Sequence, residues 1–170
     1  MLKINLPLFL YCAVLVAPLQ AQNIVEHIPN HTLNEHYTLH NNGTVTDINT
    51  GLIWQRCSLG QNWDGSTCTG NAATYTWQAA LQQSSGSTFA GYDDWRLPSV
   101  EELRSLVAYD RFSPAINNAI FPNTPISWYW SSSPNANTSD GGWIVSFYDG
   151  FDGIHSRGNA YHVRIVRSGH

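Results

Sequence analysis

Residues 91–107, GYDDWRLPSVEELRSLV, set four carboxylates around Arg96 within one short stretch. Paired carboxylates suggest general acid/base chemistry, as in glycoside hydrolysis, which needs two carboxyls opposed across a cleft at roughly 5–9.5 Å. Asp93 and Asp94 are neighbours, so their side chains diverge in extended chain. Glu101 and Glu102 fall in the first turn of a helix, where the backbone dipole favours negative charge. Neither pair has the opposed geometry, and no nucleophile-elbow motif surrounds any serine. A second group is His27, His31, His36 and His40 with Glu26 and Glu35 nearby. Imidazoles at such spacing suit zinc or copper if a helix gathers them. Pro29 and the surrounding Asn and Thr argue against a regular helix, so this stretch reads as a solvated leader and no metal or cofactor is expected.

The elements that position these residues follow from pattern. GTVTDINTGLIW reads as a hairpin, with Thr44–Asp47, a turn through Asn49-Thr50-Gly51, and Leu52–Trp54. Thr76 stands where it can cap a helix carrying Trp77, Ala80 and Leu81 at i, i+3, i+4. Ser99 with Glu102 three residues on makes a capping box for a second helix. Its apolar stripe is Val100, Leu103, Leu106 and Val107. Trp95 and Leu97 are expected in the core, and Arg96 is expected to pair with Asp93 or Asp94. Trp54, Trp77, Trp130 and Trp143 also read as core, since each sits inside an expected element.

From Trp128 onward the pattern becomes short aromatic strands. Trp143, Val145 and Phe147 alternate with Ile144, Ser146 and Tyr148, and Asp149-Gly150 signals a hairpin. Residues 151–156 return and Arg157-Gly158-Asn159 turn again. Tyr161, Val163 and Ile165 are expected to face the core of a last strand, with His162 and Arg164 facing away. The sum is an α+β domain of two helices and short antiparallel strands, ending in a C-terminal β-meander.

Composition narrows the class. Only 12% of the 170 residues are charged and the net charge is −4, so nothing forms the basic footprint of a nucleic-acid binder. MLKINLPLFLYCAVLVAPLQAQ has the layout of a secretory signal peptide, with cleavage expected after Ala21. Its apolar stretch is too short to span a membrane, and no transmembrane helix is expected in the mature chain. The organisation is thus residues 1–21 as signal, 22–42 as a polar His-rich leader and 43–170 as one domain. Removing the signal also removes Cys12. The even pair Cys57 and Cys68 then reads as a disulfide in an oxidising compartment, stabilising by roughly 2–3 kcal/mol.

The blocks GTVTDINTGLIWQRC, TYTWQAAL, FAGYDDWRLPSVEELRSLV, RFSPAINNAIFPNT, YWSSSP and YHVRIVRSG appear in that order. Together they resemble the Lcl C-terminal domain family, a bacterial domain long listed as of unknown function, from about Thr44 to Gly169. The resemblance implies a C-type-lectin-like fold, in the branch that holds the formylglycine-generating enzymes, with a variable C-terminal surface. The family name comes from a collagen-like adhesin that binds sulfated glycans. Related members are diversified by retroelements near the C-terminus. No collagen-like repeat stands in these 170 residues, so trimeric avidity does not carry over. An oxidase of the formylglycine type needs late thiols, and none follows Cys68. The carboxylate loops of a calcium lectin are also missing, since Phe121-Pro122-Asn123 and Gly142-Trp143-Ile144 stand in the comparable stretches.

The candidate ligand-binding residues are Tyr129, Asn135, Asn137, Asp140, Tyr148, Asp149, Phe151, Asp152, His155, Arg157, Asn159 and His162, read onto loops and outward strand positions. Rigid aromatics with adaptable amides suit a recognition surface. In residues 131–170, Arg157, Arg164 and Arg167 are cancelled by Asp140, Asp149 and Asp152, so a sulfated-glycan site would have to be a local patch. The expectation is a secreted, periplasmic or cell-surface binding module, not an enzyme, that recognises a glycan or a protein ligand. A structural or assembly component of the bacterial envelope, or a retroelement-diversified receptor, is the alternative. A homo-oligomer is compatible with either.

Overall fold

The computed structural model describes residues 23–25 and 27–169. The signal segment read over 1–21, and Glu26 of the histidine-rich stretch, lie outside the described residues. In chain order the first strands are β1 (Asn23–Ile24), β2 (Tyr37–Leu39), β3 (Thr44–Asp47), β4 (Leu52–Gln55), β5 (Asn62–Trp63) and β6 (Cys68–Thr69). Helices α1 (Trp77–Ser85) and α2 (Val100–Arg104) follow. The last strands are β7 (Arg111–Phe112), β8 (Trp128–Pro134), β9 (Gly141–Ser146), β10 (Asp152–Ser156) and β11 (Val166–Ser168). The architecture is α+β.

Local signals set the early elements. The hairpin β3–β4 forms as expected, with Val45 opposite Trp54. Gly51 takes a φ of +71° in its turn, a conformation that glycine adopts without a Cβ clash. Cys57 and Cys68 are bonded, with their Cα atoms 5.4 Å apart, and close the loop that carries the small β5–β6 ladder. Ser99 caps α2 with a complete capping box. At α1 the cap position is Thr76 as expected, but its side chain makes no capping hydrogen bond.

The C-terminal half departs from simple alternation. Strands β10–β9–β8 form an antiparallel sheet with Trp130 opposite Ile144, and Ile154 opposite Trp143. One face carries Tyr129, Val145 and Phe147 against Leu103, Leu106, Ile116 and Phe121. The other carries Trp130 and Ile144 against Ala80, Trp95, Leu97, Val163 and Ile165. The sheet is therefore a partition between two apolar clusters, and Ile144 and Ser146 are as buried as Val145 and Phe147. A strand covered on both faces has no polar side to alternate with. Trp54, Trp95 and Trp130 are buried as expected, whereas Trp77 and Trp143 are only partly covered.

The C-terminal meander forms through β8, β9 and β10, and only the last strand departs from it. β11 leaves the three-stranded sheet and pairs with β4, completing a sheet of order β11–β4–β3–β2. Residues 163–166 lie between the disulfide-side strand and the 91–107 stretch. Leu59 N donates to Val163 O and Gln55 N to Ile165 O, while Arg96 and Val166 exchange main-chain bonds. Arg164 was expected to face outward, yet it is fully buried. The space on that side is filled by residues 55–58 and 121–124. Its guanidinium donates to Gln55 O at 3.0 Å, to Thr124 Oγ1 at 2.8 Å and also to Arg56 O, and lies 4.7 Å over the Phe121 ring. Burial lowers its pKa to about 10, which leaves it charged at neutral pH.

The leader is also part of the body rather than a solvated tail. β2 extends the first sheet along β3, and β1 pairs with β7. Thr32 is buried, and its carbonyl accepts from Asn117 Nδ2 at 2.6 Å. The imidazoles are engaged separately: His31 stacks on Tyr109, His36 Nδ1 meets His31 O, and His40 Nε2 meets Thr46 Oγ1. Among the described residues no three His, Cys, Asp or Glu side chains gather as a metal site.

Candidate binding surface

Two of the four carboxylates of the 91–107 stretch, Asp94 and Glu102, bond to other parts of the chain. Arg96 donates both guanidinium ends to Glu102, at 2.7 Å each, rather than to Asp93 or Asp94 as expected. Glu102 is within reach because the capping box already turns its carboxylate back toward Ser99 N. These hydrogen bonds, first the one from Arg96, hold the Glu102 carboxyl below the usual carboxylate range. Asp94 accepts from Arg167 Nε at 2.6 Å, which ties this stretch to β11.

The twelve candidate residues fall into three places. Tyr129 and His162 lie inward. Tyr129 is fully buried on the two-cluster partition, its hydroxyl 2.6 Å from Ser58 Oγ, and it does not reach solvent. Burial raises its phenol pKa. His162 packs on the Tyr129 ring and its Nδ1 meets Ala73 O; half-burial lowers its imidazole pKa. Both were expected to point outward. Strand parity placed them correctly relative to their neighbours, but the outer side of these strands is itself covered.

The second place is the far end of β10. Asn135 is buried there, contrary to expectation, because its Oδ1 accepts from Asn137 N in a turn folded onto Gly141. Asp140 accepts from Ser156 Oγ at 2.6 Å. Arg157 lies 4.2 Å over the Trp77 ring and donates to Gly141 O. His155 meets the Tyr161 hydroxyl and packs on Trp128, with Asn159 Nδ2 reaching the same hydroxyl. A hollow of about 400 Å³ opens between Thr138, Asp140, Ile154, His155 and Ser156.

The third place is the β9–β10 hairpin tip, with Tyr148, Asp149, Phe151 and Asp152. Tyr148 is 52% and Phe151 69% exposed. Their backbone, by contrast, is fully held. Tyr148 O accepts from Ser113 N, Tyr148 N donates to Ser146 Oγ, and Phe147 O accepts from Ala115 N. Asp149 Oδ1 accepts from Phe151 N. Gly150 has φ +84°, and a Cβ there would sit 2.6 Å from Val107 Cγ1. Only glycine lets the tip seat this closely against the end of the α2 region. Asp152 lies 3.7 Å from Arg104 on α2. The two ends of β10 are roughly 15 Å apart by strand rise.

Two features were missed from sequence. Tyr109 and Phe112 flank the tip and are 44% and 41% exposed, extending its aromatic surface. They follow directly on the α2 stripe, so only their exposure separates them from core. A concavity of about 720 Å³ lies beside the disulfide, lined by Gln61, Asn71, Asn123, Thr124 and Ile126 among others. It contains no charged side chain, so no cluster of titratable residues marked it.

Among the described residues, each arginine that could meet a polyanion is already engaged. Arg56 lies over Trp63, Arg96 holds Glu102, Arg104 approaches Asp152 and Arg111 pairs with Asp110. Arg157 covers Trp77, Arg164 is buried, and Arg167 pairs with Asp94 over the Tyr92 ring. What the surface offers is aromatic faces, amides, hydroxyls and a few carboxylates. Among the described residues no helix is long and apolar enough to cross a membrane.

The model of the Lcl C-terminal domain family matches residues 43–167. No curated protein matches the chain.

Proposed function

The chain belongs to the Lcl C-terminal domain family, and on that premise we propose that it is an exported binding module. It recognises a glycan or a surface partner through the C-terminal hairpin and adjoining loops, by non-covalent contact rather than catalysis. The observation that carries this reading is the tip itself. Two large aromatic side chains face solvent on a backbone pinned by hydrogen bonds and by the close seat of Gly150. Rigid exposed rings lose little entropy on binding and stack on the apolar faces of sugars. The engaged arginines favour a neutral or weakly charged ligand over a densely sulfated one. A disulfide closing a polar loop fits an oxidising site of action, in the periplasm, at the cell surface or outside.

The test is a glycan and polyanion array probed with the full chain expressed in an oxidising compartment, with and without chelator. Binding that is lost in Tyr148→Ala and Phe151→Ala, and is insensitive to chelator, is the expected result. Silence on the array, together with an envelope protein that co-purifies equally with wild type and both variants, overturns the reading in favour of an assembly role.

A further inference from the structure

Strand β10 is the open edge of its sheet. The opposite edge, β8, is covered by residues 161–162, since Trp130 N donates to His162 O and His162 N to Trp128 O. Along β10, Phe151 O accepts from Ser146 N and Arg157 N donates to Asp140 O. In an antiparallel ladder these directions alternate by residue. The main-chain groups of Gly153 and His155 therefore turn toward β9, and those of Asp152, Ile154 and Ser156 turn outward. Ser156 O accepts from Asn159 N in the following turn, whereas among the described residues the outward groups of Asp152 and Ile154 meet no main-chain partner. The strand pairs with β9 without a register shift, whereas β8 carries one. Edges protected from pairing usually carry a bulge, a proline or an inward charge, and β10 has none of these at its centre.

The residues along the edge, Asp152-Gly153-Ile154-His155-Ser156, are complementary to themselves when read in reverse. Antiparallel pairing about a two-fold axis through Ile154 sets Ile154 against the partner's Ile154. Asp152 then faces the partner's Ser156, and Gly153 faces the partner's His155. The exposed Ile154 side chain, 42% accessible, is covered by its own copy. No carboxylate opposes a carboxylate directly, and Arg104 stands beside Asp152 to offset the partner's Asp140. Glycine opposite histidine leaves room for the ring that rests on Trp128 and Tyr161.

We propose that the protein self-associates through β10, joining two three-stranded sheets into one of six strands. The occupant of the open edge is a second copy of this chain. Pairing about Ile154 sets the two hairpin tips roughly 25–30 Å apart, so the assembly presents two binding tips at once and gains from effective concentration. The inference does not depend on what the tips bind.

Sedimentation velocity of the full chain, expressed in an oxidising compartment and run up to roughly 100 μM, should show a dimer. Ile154→Lys should lose it while keeping the wild-type circular dichroism spectrum, because position 154 is at the surface. An equimolar mixture of Ile154→Lys and Ile154→Glu should regain it, since two-fold pairing sets the position against itself. Ile154→Cys should form a covalent dimer on a non-reducing gel and the equally exposed Ile126→Cys should not. A monomeric wild type, a dimer that survives in Ile154→Lys, or equal cross-linking of both cysteine variants overturns the proposal.

Discussion

The stretch 91–107 and the hairpin tip at 148–151 use side chains in opposite ways. In the first, Arg96, Glu102 and Asp94 are engaged with the chain's own structure. Glu102 is shared between Arg96 and the α2 cap, and Asp94 holds Arg167 of β11. In the second, the backbone is held internally and the aromatic side chains face solvent. A protein with 12% charged residues spends its few ion pairs on architecture, which leaves rings and amides at the surface. The stretch richest in carboxylates is therefore the less promising place to look for function.

The comparison can be broken by substitutions whose effects on stability and binding are measured side by side. The largest loss of stability is expected from Arg164→Leu, which strands the buried acceptors at Gln55 O, Arg56 O and Thr124 Oγ1. Chemical denaturation should show a loss of about 3–5 kcal/mol. Next comes Gly150→Ala, where a Cβ meets Val107 in a left-handed backbone. A loss of about 1–3 kcal/mol is expected, and binding should fall as well because the tip must lift. If Gly150→Ala keeps full affinity, the rigidity of the tip is irrelevant and the contrast drawn above fails.

Smaller effects sharpen it. Ser99→Ala removes the α2 cap and should lower stability by about 1 kcal/mol, with affinity per folded molecule unchanged. The Glu102 pKa is depressed in the folded state, so its contribution is present above the unfolded carboxylate value and lost as pH falls through the folded one. Wild type should therefore lose stability below about pH 4.3, and Glu102→Gln should flatten that part of the melting-temperature profile. His162 has a lowered pKa from burial, so the neutral ring is the folded form. By the same sign, its contribution is lost on acidification below about pH 6.5. The smallest change in stability, within about 0.5 kcal/mol, is expected for Tyr148→Ala and Phe151→Ala, with the largest loss of binding.

Much of the framework was legible because it is local. The β3–β4 hairpin, the disulfide, the Ser99–Glu102 cap and the turn at Asp149-Gly150 each depend on residues close in sequence. The capping box needs only a hydroxyl and a carboxylate three residues apart, and it formed as read. Arg96 was assigned to an adjacent aspartate, but a helix start folded Glu102 back to it first. Tyr129 and His162 read as outward because strand parity specifies two sides without saying what covers them, and Asn135 stands past the end of β8, where parity says nothing of the turn that buries it.

By itself, then, the amino-acid sequence determined which segments pair locally, which two cysteines join, and that charge is too sparse for a basic footprint. Only the tertiary structure decided that the C-terminal sheet is a partition between two clusters, and that β11 crosses to the first sheet. It alone buried Arg164 and left Tyr109 and Phe112 beside the tip. Periodicity describes a strand's own faces, whereas burial is set by long-range packing of segments a hundred residues apart, such as Gln55 against Arg164.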